Sequence, residues 1–346
     1  MERNYFHMRD RFLYGQNVLF IARNFFSYDK AVYDEFVLCG AEVDLVYDVP
    51  FTRSLLKAFL RKMRPIFAPL ASKLIEREIS AFRRTSYDYV FVILGEGLTS
   101  GFYCRLKARY PKAKLILYIW DGIGNNRQYL RKQFKYFDLV ASFDPVDCAR
   151  YNLKFIPLFF VRPRGIEGQN TNVGKKYLFS FVGTSHSSRS KVLAKIRAQF
   201  DARRDDFFIF EYLQAKWLYY IYNFWDRRYS LTNIDFISFT SMDYESVLAV
   251  MGCSTAILDL PHPGQSGLTI RTIEALGLRK KLITTSPDIL KYDFYHPSNI
   301  YLIDVDNPEI DEEFLHSDYY ELDAEVYEKY HVKAWLRSLF AQVVLD

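Results

Sequence analysis

The sequence predicts an α/β protein made of two parallel-sheet domains, and three observations support that prediction. Short apolar strands alternate with helix-like segments in both halves of the 346-residue chain, which is the pattern of parallel α/β sheets. The predicted strands end in glycine or polar turns at their carboxyl ends, where ligands bind in open sheets. The polar stretch 161–176 interrupts the alternation and is the best linker in the chain. A chain this long can form two domains of about 150 residues, each with its own core.

The first half of the chain contains six short apolar segments that read as strands. Gly40 is placed to end a helix at 30–39 between the first two of them. Glu96 and Asp121 each lie just after a predicted strand. Either could be a general base, although acidic residues at strand ends also serve as turn formers and helix caps. The predicted strands are 17–22, 42–47, 89–94, 115–120, 139–143 and 155–160.

The composition is that of a folded protein of a reducing compartment. Half of the residues are hydrophobic, and there are 30 Phe and 27 Tyr, well beyond the composition of disordered chains. The four cysteines are scattered without a CxxC pair, so neither a disulfide framework nor a zinc site is expected. The N-terminal residues are too charged for a signal peptide, and no apolar run approaches the roughly 18 residues of a transmembrane helix. We therefore expect a cytoplasmic protein.

The segment 51–84 differs from its surroundings because it is strongly basic. It contains nine Lys or Arg against two Glu, with apolar residues interleaved at roughly helical spacing. Pro65 and Pro69 are predicted to divide it into two helical pieces. A basic amphipathic helix pair suits an anionic membrane or an acidic lipid-linked substrate, and a core-packing helix with a solvated basic face is the alternative. Nucleic acid is a weaker candidate, because the aromatic residues resemble core positions rather than stacking platforms.

A second strand, glycine loop and helix unit begins after the linker. The strand 177–182 leads into the loop 183–189, after which a helix is predicted. Arg189 and Lys191 would lie at its start, where free backbone N–H groups and basic side chains favour a phosphate. The loop lacks the GxGxxG and GxxxxGK[ST] patterns, so neither a dinucleotide fold nor a P-loop is indicated. Further strands are predicted at 234–239, 255–260 and 299–303, with a helix at 242–251.

The stretch 264–285, GQSGLTIRTIEALGLRKKLITT, reads as a loop, a helix and a buried strand. Gly264 and Gly267 would let the backbone approach a ligand, and the helix start beyond them offers free N–H groups and a positive dipole end. Gly277 is placed to end the helix, and 281–285 has the β-branched composition of a central parallel strand. Such a turn binds anions, and nucleotide diphosphates are the commonest of these. The alternative is an ordinary crossover helix.

Three further segments complete the second half. The densely aromatic stretch 207–229 is either a buried strand followed by a core helix or an exposed platform for sugar or membrane. The DxD at 304–306 holds a divalent metal in some transferases, but it lies in an acidic run and is predicted to be a solvated turn. The last segment, 326–344, is predicted to be an amphipathic helix. Its apolar side is formed by Trp335, Leu336, Leu339 and Phe340.

The order of these pieces resembles the GT-B glycosyltransferases, above all bacterial lipopolysaccharide, O-antigen and capsule transferases. The second half, from FVGTSHSSR to NIYLIDVDNPE, resembles their donor-binding domain. Gly183 matches a loop glycine, Arg189 a basic residue on the donor diphosphate, and Glu274 the glutamate that contacts the donor ribose. Ser266 departs from the pattern, because many retaining members have a glutamate there, so the stereochemical outcome stays open. The first half matches more loosely, through YDYVFVIL, YIWDGI, FDLVASFD and FIPLFF, which resemble strand ends of the acceptor domain.

The resemblance implies two Rossmann-like domains facing each other across a cleft. Residues 1–165 would bind the acceptor and 176–325 the nucleotide sugar, with 326–346 packing back on the first domain. The implied reaction transfers a sugar from a nucleotide-sugar donor to a glycan or lipid-linked acceptor, with no metal or other cofactor. If the reaction inverts, Glu96 or Asp121 would take the acceptor proton. The implied donor-binding residues are Gly183, Thr184, Ser185, Arg189, Gln265, Ser266, Gly267, Leu268, Thr269, Arg271 and Glu274.

Two other functions are compatible with the sequence. A nucleotide-sugar 2-epimerase shares the architecture and needs no acceptor. A non-catalytic two-domain sugar- or nucleotide-binding protein is a different class, and the basic segment 51–84 argues against it, because a sensor has little need of a membrane-facing surface. Contact of that segment with the anionic cytoplasmic face of the inner membrane stays open beside the core-packing alternative, and we expect no nucleic acid partner.

Overall fold

The computed structural model describes residues 11–24, 27–49, 64–124, 128–162, 176–186, 189–200 and 206–344. The chain divides into two compact units. Unit 1 comprises the described residues of Met1–Pro157 and of Val332–Asp346, and unit 2 comprises those of Leu158–His331. Each unit contains one six-stranded sheet, and every strand pairing in both sheets is parallel. The predicted α/β class with two parallel sheets is confirmed.

Unit 1 alternates strands and helices. Its elements are β1 (Asn17–Ala22), α1 (Tyr28–Leu38), β2 (Glu42–Tyr47), α2 (Arg64–Ala81), β3 (Tyr89–Ile93), α3 (Ser100–Arg109), β4 (Lys114–Ile119), a 3₁₀ segment (Gln128–Tyr136), β5 (Leu139–Ser142), α4 (Pro145–Tyr151) and β6 (Lys154–Phe155). The sheet order is β2-β1-β3-β4-β5-β6. Strands β1, β3 and β4 are almost completely buried, because a parallel sheet covered on both faces needs apolar side chains on both.

Unit 2 repeats this alternation. Its elements are β7 (Tyr177–Thr184), α5 (Arg189–Gln199), β8 (Phe207–Tyr212), α6 (Lys216–Asp226), a 3₁₀ turn (Ile234–Phe236), β9 (Ile237–Ser238), α7 (Tyr244–Gly252), β10 (Ser254–Asp259), α8 (Ile270–Gly277), β11 (Lys281–Thr284), a 3₁₀ turn (Pro287–Lys291), β12 (Ile300–Leu302), α9 (Glu312–His316) and α10 (Ala324–Lys329). The sheet order is β12-β11-β10-β7-β8-β9. Its core lies between β7, β10, β11 and the helix α5.

The final helix, α11 (Val332–Val344), belongs to unit 1. The ring of Phe340 lies 5.4 Å from that of Phe36 on α1, and Trp335 lies 5.8 Å from Phe91 on β3. The single helix predicted at 326–344 is wrong, because α10 ends at Lys329 and α11 begins at Val332. The interruption coincides with a backbone bridge between His331 and Phe160.

Two predicted strands are shorter than the sequence suggested. Of the apolar run 155–160, only Phe155 lies in a strand, β6 (Lys154–Phe155). Pro157, which has no N–H to donate, follows two residues later. The run 234–239 begins with a 3₁₀ turn capped by Asn233, whose side chain accepts from the N–H of Asp235 at 3.2 Å. This cap leaves only Ile237–Ser238 for the strand.

The basic segment 51–84 is described from residue 64 onward, and residues 51–63 lie outside the described residues. The prediction that proline divides the segment is wrong for the described part, because α2 runs unbroken from Arg64 to Ala81 with Pro69 inside it. Pro69 is the sixth residue of α2 and lacks the N–H of a normal helical residue, yet the helix continues past it to Ala81. Among the described helices of the chain, none is both long and apolar enough to cross a membrane.

Candidate functional site

Each sheet reverses its strand order once, and the reversal marks where open α/β sheets bind ligands. In unit 2 the chain runs from β7 through β8 to β9 and then returns to place β10 on the other side of β7. In unit 1 it runs from β1 to β2 and then places β3 on the other side of β1. A crevice forms beyond the carboxyl ends of strands that diverge in this way. The candidate regions are therefore the ends of β7 and β10 and the ends of β1 and β3.

The loop after β10 begins with a tight turn. The N–H of Gln265 donates to the carbonyl of His262 at 3.1 Å, and Gly264 has a φ of 84°. With Pro263 before it, this is the pattern of a type II turn, which requires positive φ at its third residue. The side-chain amide of Gln265 then donates to the carbonyl of Gly267 at 2.9 Å. Gly264 thus has a conformational reason to be glycine, whether or not a ligand approaches.

The start of α8 is fixed by hydroxyl groups and one buried carboxylate. Thr269 is the N-cap, and its hydroxyl accepts from the N–H of Thr272 at 3.2 Å. Asp259, at the end of β10, accepts from the hydroxyls of Thr269 at 2.6 Å and Thr272 at 2.8 Å. A carboxylate is favourable at a helix N-terminus because it interacts with the positive end of the helix dipole. The arrangement holds the backbone N–H groups of this helix start in one place.

Arg271 and Glu274 form a half-buried ion pair on α8. The guanidinium Nη1 lies 2.5 Å from Glu274 Oε2, and it also contacts the sulfur of Met251. Glu274 is only 4% exposed. Leu268 is buried beside the helix start, and Ser266 is half-buried. The predicted contact of Glu274 with a donor ribose stays a prediction, to which the structure adds that one carboxylate oxygen is already held by Arg271.

Arg189, the first residue of α5, spans the strand reversal. Its guanidinium donates to the carbonyl of Thr184 at 2.6 Å and, through Nε, to the carbonyl of Leu260 at 3.0 Å. These carbonyls lie at the end of β7 and just beyond β10. Burial lowers the pKa of Arg189 to about 10, Asp259 and Glu211 oppose that lowering, and Arg271 adds to it. The side chain is therefore a cation at neutral pH, held by uncharged backbone acceptors at the crevice.

Gly183 gives Arg189 room to take up this position. A Cβ at residue 183 would lie 2.8 Å from Phe181 Cζ and 3.1 Å from Arg189 Nη1. The guanidinium also packs 5.3 Å from the centre of the Phe181 ring. A glycine at this position is thus explained by side-chain packing, and its contact with a donor stays a prediction.

A buried polar network lies beneath the loop after β7. The hydroxyl of Ser185 bonds to Tyr229 at 2.6 Å and to Ser190 at 3.2 Å, and Ser190 donates to Glu211 on β8. Glu211 is fully buried, and its second oxygen has no hydrogen-bond partner. Ser185, a predicted donor-binding residue, therefore directs its hydroxyl inward, whereas Thr184 is exposed at the edge of the sheet.

Two histidines meet at the same reversal. The rings of His186, after β7, and His262, after β10, are 4.9 Å apart. Burial lowers the pKa of His186 to about 4, and the neighbouring Arg189, His262 and Arg228 lower it further. Its buried Nδ1 has no hydrogen-bond partner. At neutral pH the His186 imidazole is uncharged, so it can either donate or accept a hydrogen bond from a bound group.

The ends of β1, β2 and β3 in unit 1 carry a different cluster. Arg23 binds Asp48 through two bonds of 2.8 Å and Glu96 through one of 2.8 Å, and the N–H of Glu96 donates to Asp48 at 3.0 Å. Burial raises the pKa of Asp48 although Arg23 opposes it. Burial alone would lower the pKa of Arg23, but Asp48 and Glu96 outweigh burial and raise it. The three side chains therefore form one largely buried cluster of a guanidinium and two carboxyl groups.

The loop that carries Glu96 is tightly packed. Leu94 and Gly95 both have a φ of 63°, and a Cβ at Gly97 would lie 2.0 Å from the carbonyl oxygen of Asp48. Positive φ at a buried leucine is strained and persists only where surrounding contacts impose it. The structure thus holds Glu96 in one position. Asp121 is exposed just after β4, the strand next to β3.

The structure groups some predicted residues and separates others. The predicted donor-binding residues all belong to unit 2, along the ends of β7 and β10 and on α5 and α8, whereas Glu96 and Asp121 belong to unit 1. The DxD at 304–306 is an exposed turn, as predicted, in which Asp304 accepts from the N–H groups of Asp306 at 2.7 Å and Asn307 at 2.9 Å. Sequence reasoning did not single out Arg23, Asp48, His186, Glu211, Asp259 or His262.

A signal for several of these residues was present in the sequence. Arg23, Asp48 and His262 follow predicted strands as closely as Glu96 does, so the rule that selected Glu96 applied equally to them. Glu211 lies inside an apolar strand of which four residues are Phe or Ile. A charged residue in an apolar segment is costly to bury unless paired, which is itself a sign of a special role.

No protein-family model matches the chain, and no curated protein sequence matches it. Solved structures do. An α-glucosyltransferase in complex with UDP and a 13-mer DNA superimposes with a TM-score of 0.57 at 14% identity, over 95% of this chain and 96% of that one. HepE from Anabaena in complex with UDP-glucose gives 0.57 at 11% identity, over 96% and 100%. A protein described as a UDP-N-acetylglucosamine 2-epimerase from Listeria monocytogenes gives 0.50 at 10% identity, over 95% and 97%. At these identities the likeness concerns architecture, and the architecture is the GT-B fold.

Proposed function

We propose that the protein is a glycosyltransferase that transfers a sugar from a nucleotide-sugar donor to a glycan or lipid-linked acceptor of a bacterial surface polysaccharide. The observation that carries the proposal is the convergence of Arg189, the His186–His262 pair and the hydroxyl-capped start of α8 at one strand reversal. Cationic, N–H-donating groups at that place suit the diphosphate of a nucleotide sugar. The neighbours bound to UDP or UDP-glucose support the choice of donor class.

The reaction breaks the bond between the anomeric carbon and the diphosphate oxygen and forms a bond from that carbon to an acceptor oxygen. Negative charge develops on the leaving diphosphate as the sugar gains oxocarbenium character. In the proposed roles, the starts of α5 and α8 with Arg189 and Arg271 stabilise that charge, and Glu274 holds the ribose hydroxyls. This needs no metal, and the proposal predicts that donor turnover is unchanged by EDTA.

The acceptor proton needs a base if the reaction inverts. Glu96 and Asp121 are the two proposals, and their surroundings differ. Glu96 is bonded to Arg23 and held in a rigid loop, which fixes its position while one carboxylate oxygen is already engaged by Arg23. Asp121 is exposed at a neighbouring strand end, where a substrate can reach its side chain. Loss of turnover in Asp121→Asn with unchanged donor binding would select Asp121, and the same outcome for Glu96→Gln would select Glu96.

A thermal-shift screen across nucleotides and nucleotide sugars tests the donor proposal. A ligand that binds only the folded state stabilises it and so raises Tm. At a ligand concentration one hundred times Kd, the free energy of unfolding rises by about 2.7 kcal/mol. We expect a shift with at least one nucleotide diphosphate, lost in Glu274→Ala and Arg271→Ala and retained in Glu321→Ala, an exposed glutamate of the same unit. No shift with any nucleotide, or a shift that Glu274→Ala leaves unchanged, contradicts the proposed site.

Two alternatives are separated by simple incubations. A 2-epimerase, which a solved neighbour of this fold is described as being, would convert the donor to its epimer with no acceptor present. A non-catalytic binding protein would bind the donor yet release no free nucleotide with any of a panel of acceptors. Transfer predicts release of free nucleotide that depends on the acceptor.

The proposal also includes a membrane contact through the basic segment 51–84, which would bring the protein to its acceptor. Within its described part, α2 exposes Ile66 at 63% and Leu70 at 48%, with Lys73 and Arg77 also exposed further along. Spacings of three and four residues place these side chains on one face of the helix. An apolar and basic face of this kind suits anionic lipid, which would bring the enzyme to a lipid-linked acceptor at the membrane.

A further inference from the structure

Helix α6 of unit 2 presents a continuous apolar stripe to solvent. Its members lie at positions i, i+3, i+4, i+7 and i+8, which is one face of a helix. Two of them are more exposed than any other large apolar side chain in the described part of the chain. The exposed fractions are 61% for Trp217, 59% for Tyr220, 42% for Ile221, 85% for Phe224 and 80% for Trp225.

The stripe is not the outer side of a loosely held helix. The opposite face of α6 packs Leu218, Tyr219 and Tyr222 against a small core. The rings of Tyr219 and Tyr229 are stacked 4.7 Å apart, and the hydroxyl of Tyr219 donates to the carbonyl of Thr232 at 3.0 Å. The helix is therefore apolar on both sides, with one side fixed to unit 2. The prediction of a core helix holds only for that side.

The size of the stripe makes it unusual for a surface. Aromatic side chains present about 150–250 Å² each, so these exposures correspond to roughly 600 Å² of apolar area, the upper end of what monomers expose as a contiguous patch. Single exposed apolar residues are ordinary, as at Leu290, which is 50% exposed. A contiguous patch of this size marks an interaction surface.

The composition of the stripe and its flanks identifies the partner. Trp and Tyr prefer the boundary between lipid headgroups and acyl chains, and Ile221 and Phe224 between them suit the acyl side. Lys216 and Arg227 are exposed at the two ends of α6, where they can reach anionic headgroups. Asp226 is the single acidic residue of the helix, and Asp235 is exposed nearby in sequence. A sugar platform would need polar groups between the rings, and the five positions provide only the hydroxyl of Tyr220.

We propose that α6 is a membrane-surface helix that lies in the headgroup region of an anionic bilayer, with its apolar stripe inserted and its terminal cations on the headgroups. This surface is separate from α2, because it belongs to the other unit. It is also independent of the proposed reaction, since none of its residues was assigned to the donor site. The arrangement is that of interfacial amphipathic helices, whose binding scales with apolar area and with anionic lipid.

Vesicle binding by the full chain tests the proposal. Flotation is measured with vesicles of phosphatidylcholine alone and of phosphatidylcholine with phosphatidylglycerol, using the natural chain, Phe224→Asp with Trp225→Asp, and the matched control Leu290→Asp. We expect binding that is stronger on the anionic vesicles, a fall of about tenfold or more in the double variant, and no change in the control. The tryptophan fluorescence of the natural chain should be quenched by brominated lipid, and this quenching should be lost in Trp225→Phe with Trp217→Phe.

The other outcomes overturn the proposal. Absence of vesicle binding contradicts the proposal. Binding that Phe224→Asp with Trp225→Asp leaves intact, while Lys73→Glu with Arg77→Glu abolishes it, would assign lipid contact to α2 alone. Sedimentation without lipid that shows a dimer dissociated by the α6 variant would make the stripe an interface between copies. The nucleotide thermal shift serves as the folding control, because the α6 variants should retain it. If no nucleotide shifts the natural chain either, the donor proposal fails while the vesicle result stands by itself.

Discussion

The carboxyl edges of the two sheets are built in opposite ways. At the unit 1 edge, charged side chains satisfy one another, since Arg23 is bonded to both Asp48 and Glu96. At the unit 2 edge, the guanidinium of Arg189 is held by uncharged backbone carbonyls, and the neighbouring His186 is uncharged at neutral pH. At the first edge, the charged side chains bind one another and so hold the loops in place. The second keeps a cation whose charge is only partly compensated, which is what an anionic ligand requires.

The largest effect that would test this contrast is removal of Asp48. Its carboxylate is completely buried and holds Arg23 through two bonds, so Asp48→Ala leaves a buried cation without its main partner. Breaking a buried pair from one side costs about 3–5 kcal/mol. We expect a loss of that size in the free energy of unfolding, measured by urea denaturation.

A matched control for Asp48 is an exposed ion pair. Glu321 pairs with Arg279 with more than half of each side chain exposed, so Glu321→Ala should change stability by less than about 1 kcal/mol. If Asp48→Ala costs no more than Glu321→Ala, the cluster at the unit 1 edge is not structural, and the contrast between the two edges is lost.

Glycines at the two edges give the next largest effect. In Gly97→Ala the new Cβ would lie 2.0 Å from the backbone oxygen of Asp48, whereas in Gly183→Ala it would meet side-chain atoms of Phe181 and Arg189. Backbone cannot yield as side chains do, so we expect about 3 kcal/mol for Gly97→Ala and about 1 kcal/mol for Gly183→Ala by thermal denaturation. Gly122→Ala, where a Cβ meets nothing within 4 Å, is the control. Equal costs at residues 97 and 183 would contradict the difference in rigidity.

The titration of His186 should give a smaller effect. Its pKa is about 4 when folded, against an ordinary value of 6.5, so between these values the unfolded chain binds a proton that the folded chain does not. Stability is therefore complete above pH 6.5 and falls as pH drops toward 4, by up to about 2 kcal/mol, because partial exposure reduces the effect. Chemical denaturation at pH 7 and pH 5 measures this difference in the free energy of unfolding, and His186→Gln should reduce the difference.

Two further measurements sharpen the histidine prediction. The exposed His316 gives a control, since His316→Gln should leave the difference in stability between pH 7 and pH 5 unchanged. A nucleoside diphosphate bound beside His186 would favour its protonated form and raise its pKa, which NMR titration of the imidazole can follow. A titration of His186 near pH 6.5 in the free protein would show that the unit 2 edge does not hold it uncharged.

The sequence was sufficient to predict the architecture, but it was insufficient to predict which side chains and carbonyls contact one another. Apolar runs such as those of β1 and β4 identify buried parallel strands because both of their faces are covered. It did not show that Lys281 at the start of β11 is 2% exposed, with its ammonium bonded to the carbonyls of Phe314 and Ser317. Those acceptors lie more than thirty residues away in the chain. Local patterns carry no information about which distant carbonyl will meet a given cation.

The glycines show the same limit in another form. Gly277 was expected to stop α8 by its backbone freedom, yet it is the last helical residue, and the positive φ of 51° belongs to Arg279. A Cβ at residue 277 would lie 2.5 Å from the ring of Phe160, a residue 117 positions earlier in the chain. Glycine there allows close packing with a distant aromatic ring, and only the folded chain brings the two together.

The smallest expected effect separates two explanations of Gly264. The sequence suggested that this glycine lets the backbone approach a ligand, whereas the structure gives it a φ of 84° in a turn with open space around it. If the turn is the whole reason, Gly264→Ala lowers the free energy of unfolding by about 1 kcal/mol, because alanine is strained in the left-handed conformation. Gly264→Asn lowers it less, because asparagine tolerates that conformation. Nucleotide affinity is then unchanged in both variants. If ligand approach is the reason, both variants lose affinity alike, because each adds a Cβ toward the bound group. Titration of a nucleoside diphosphate into the three proteins decides between them, and a common loss of affinity would place the phosphates against this turn rather than beside Arg189.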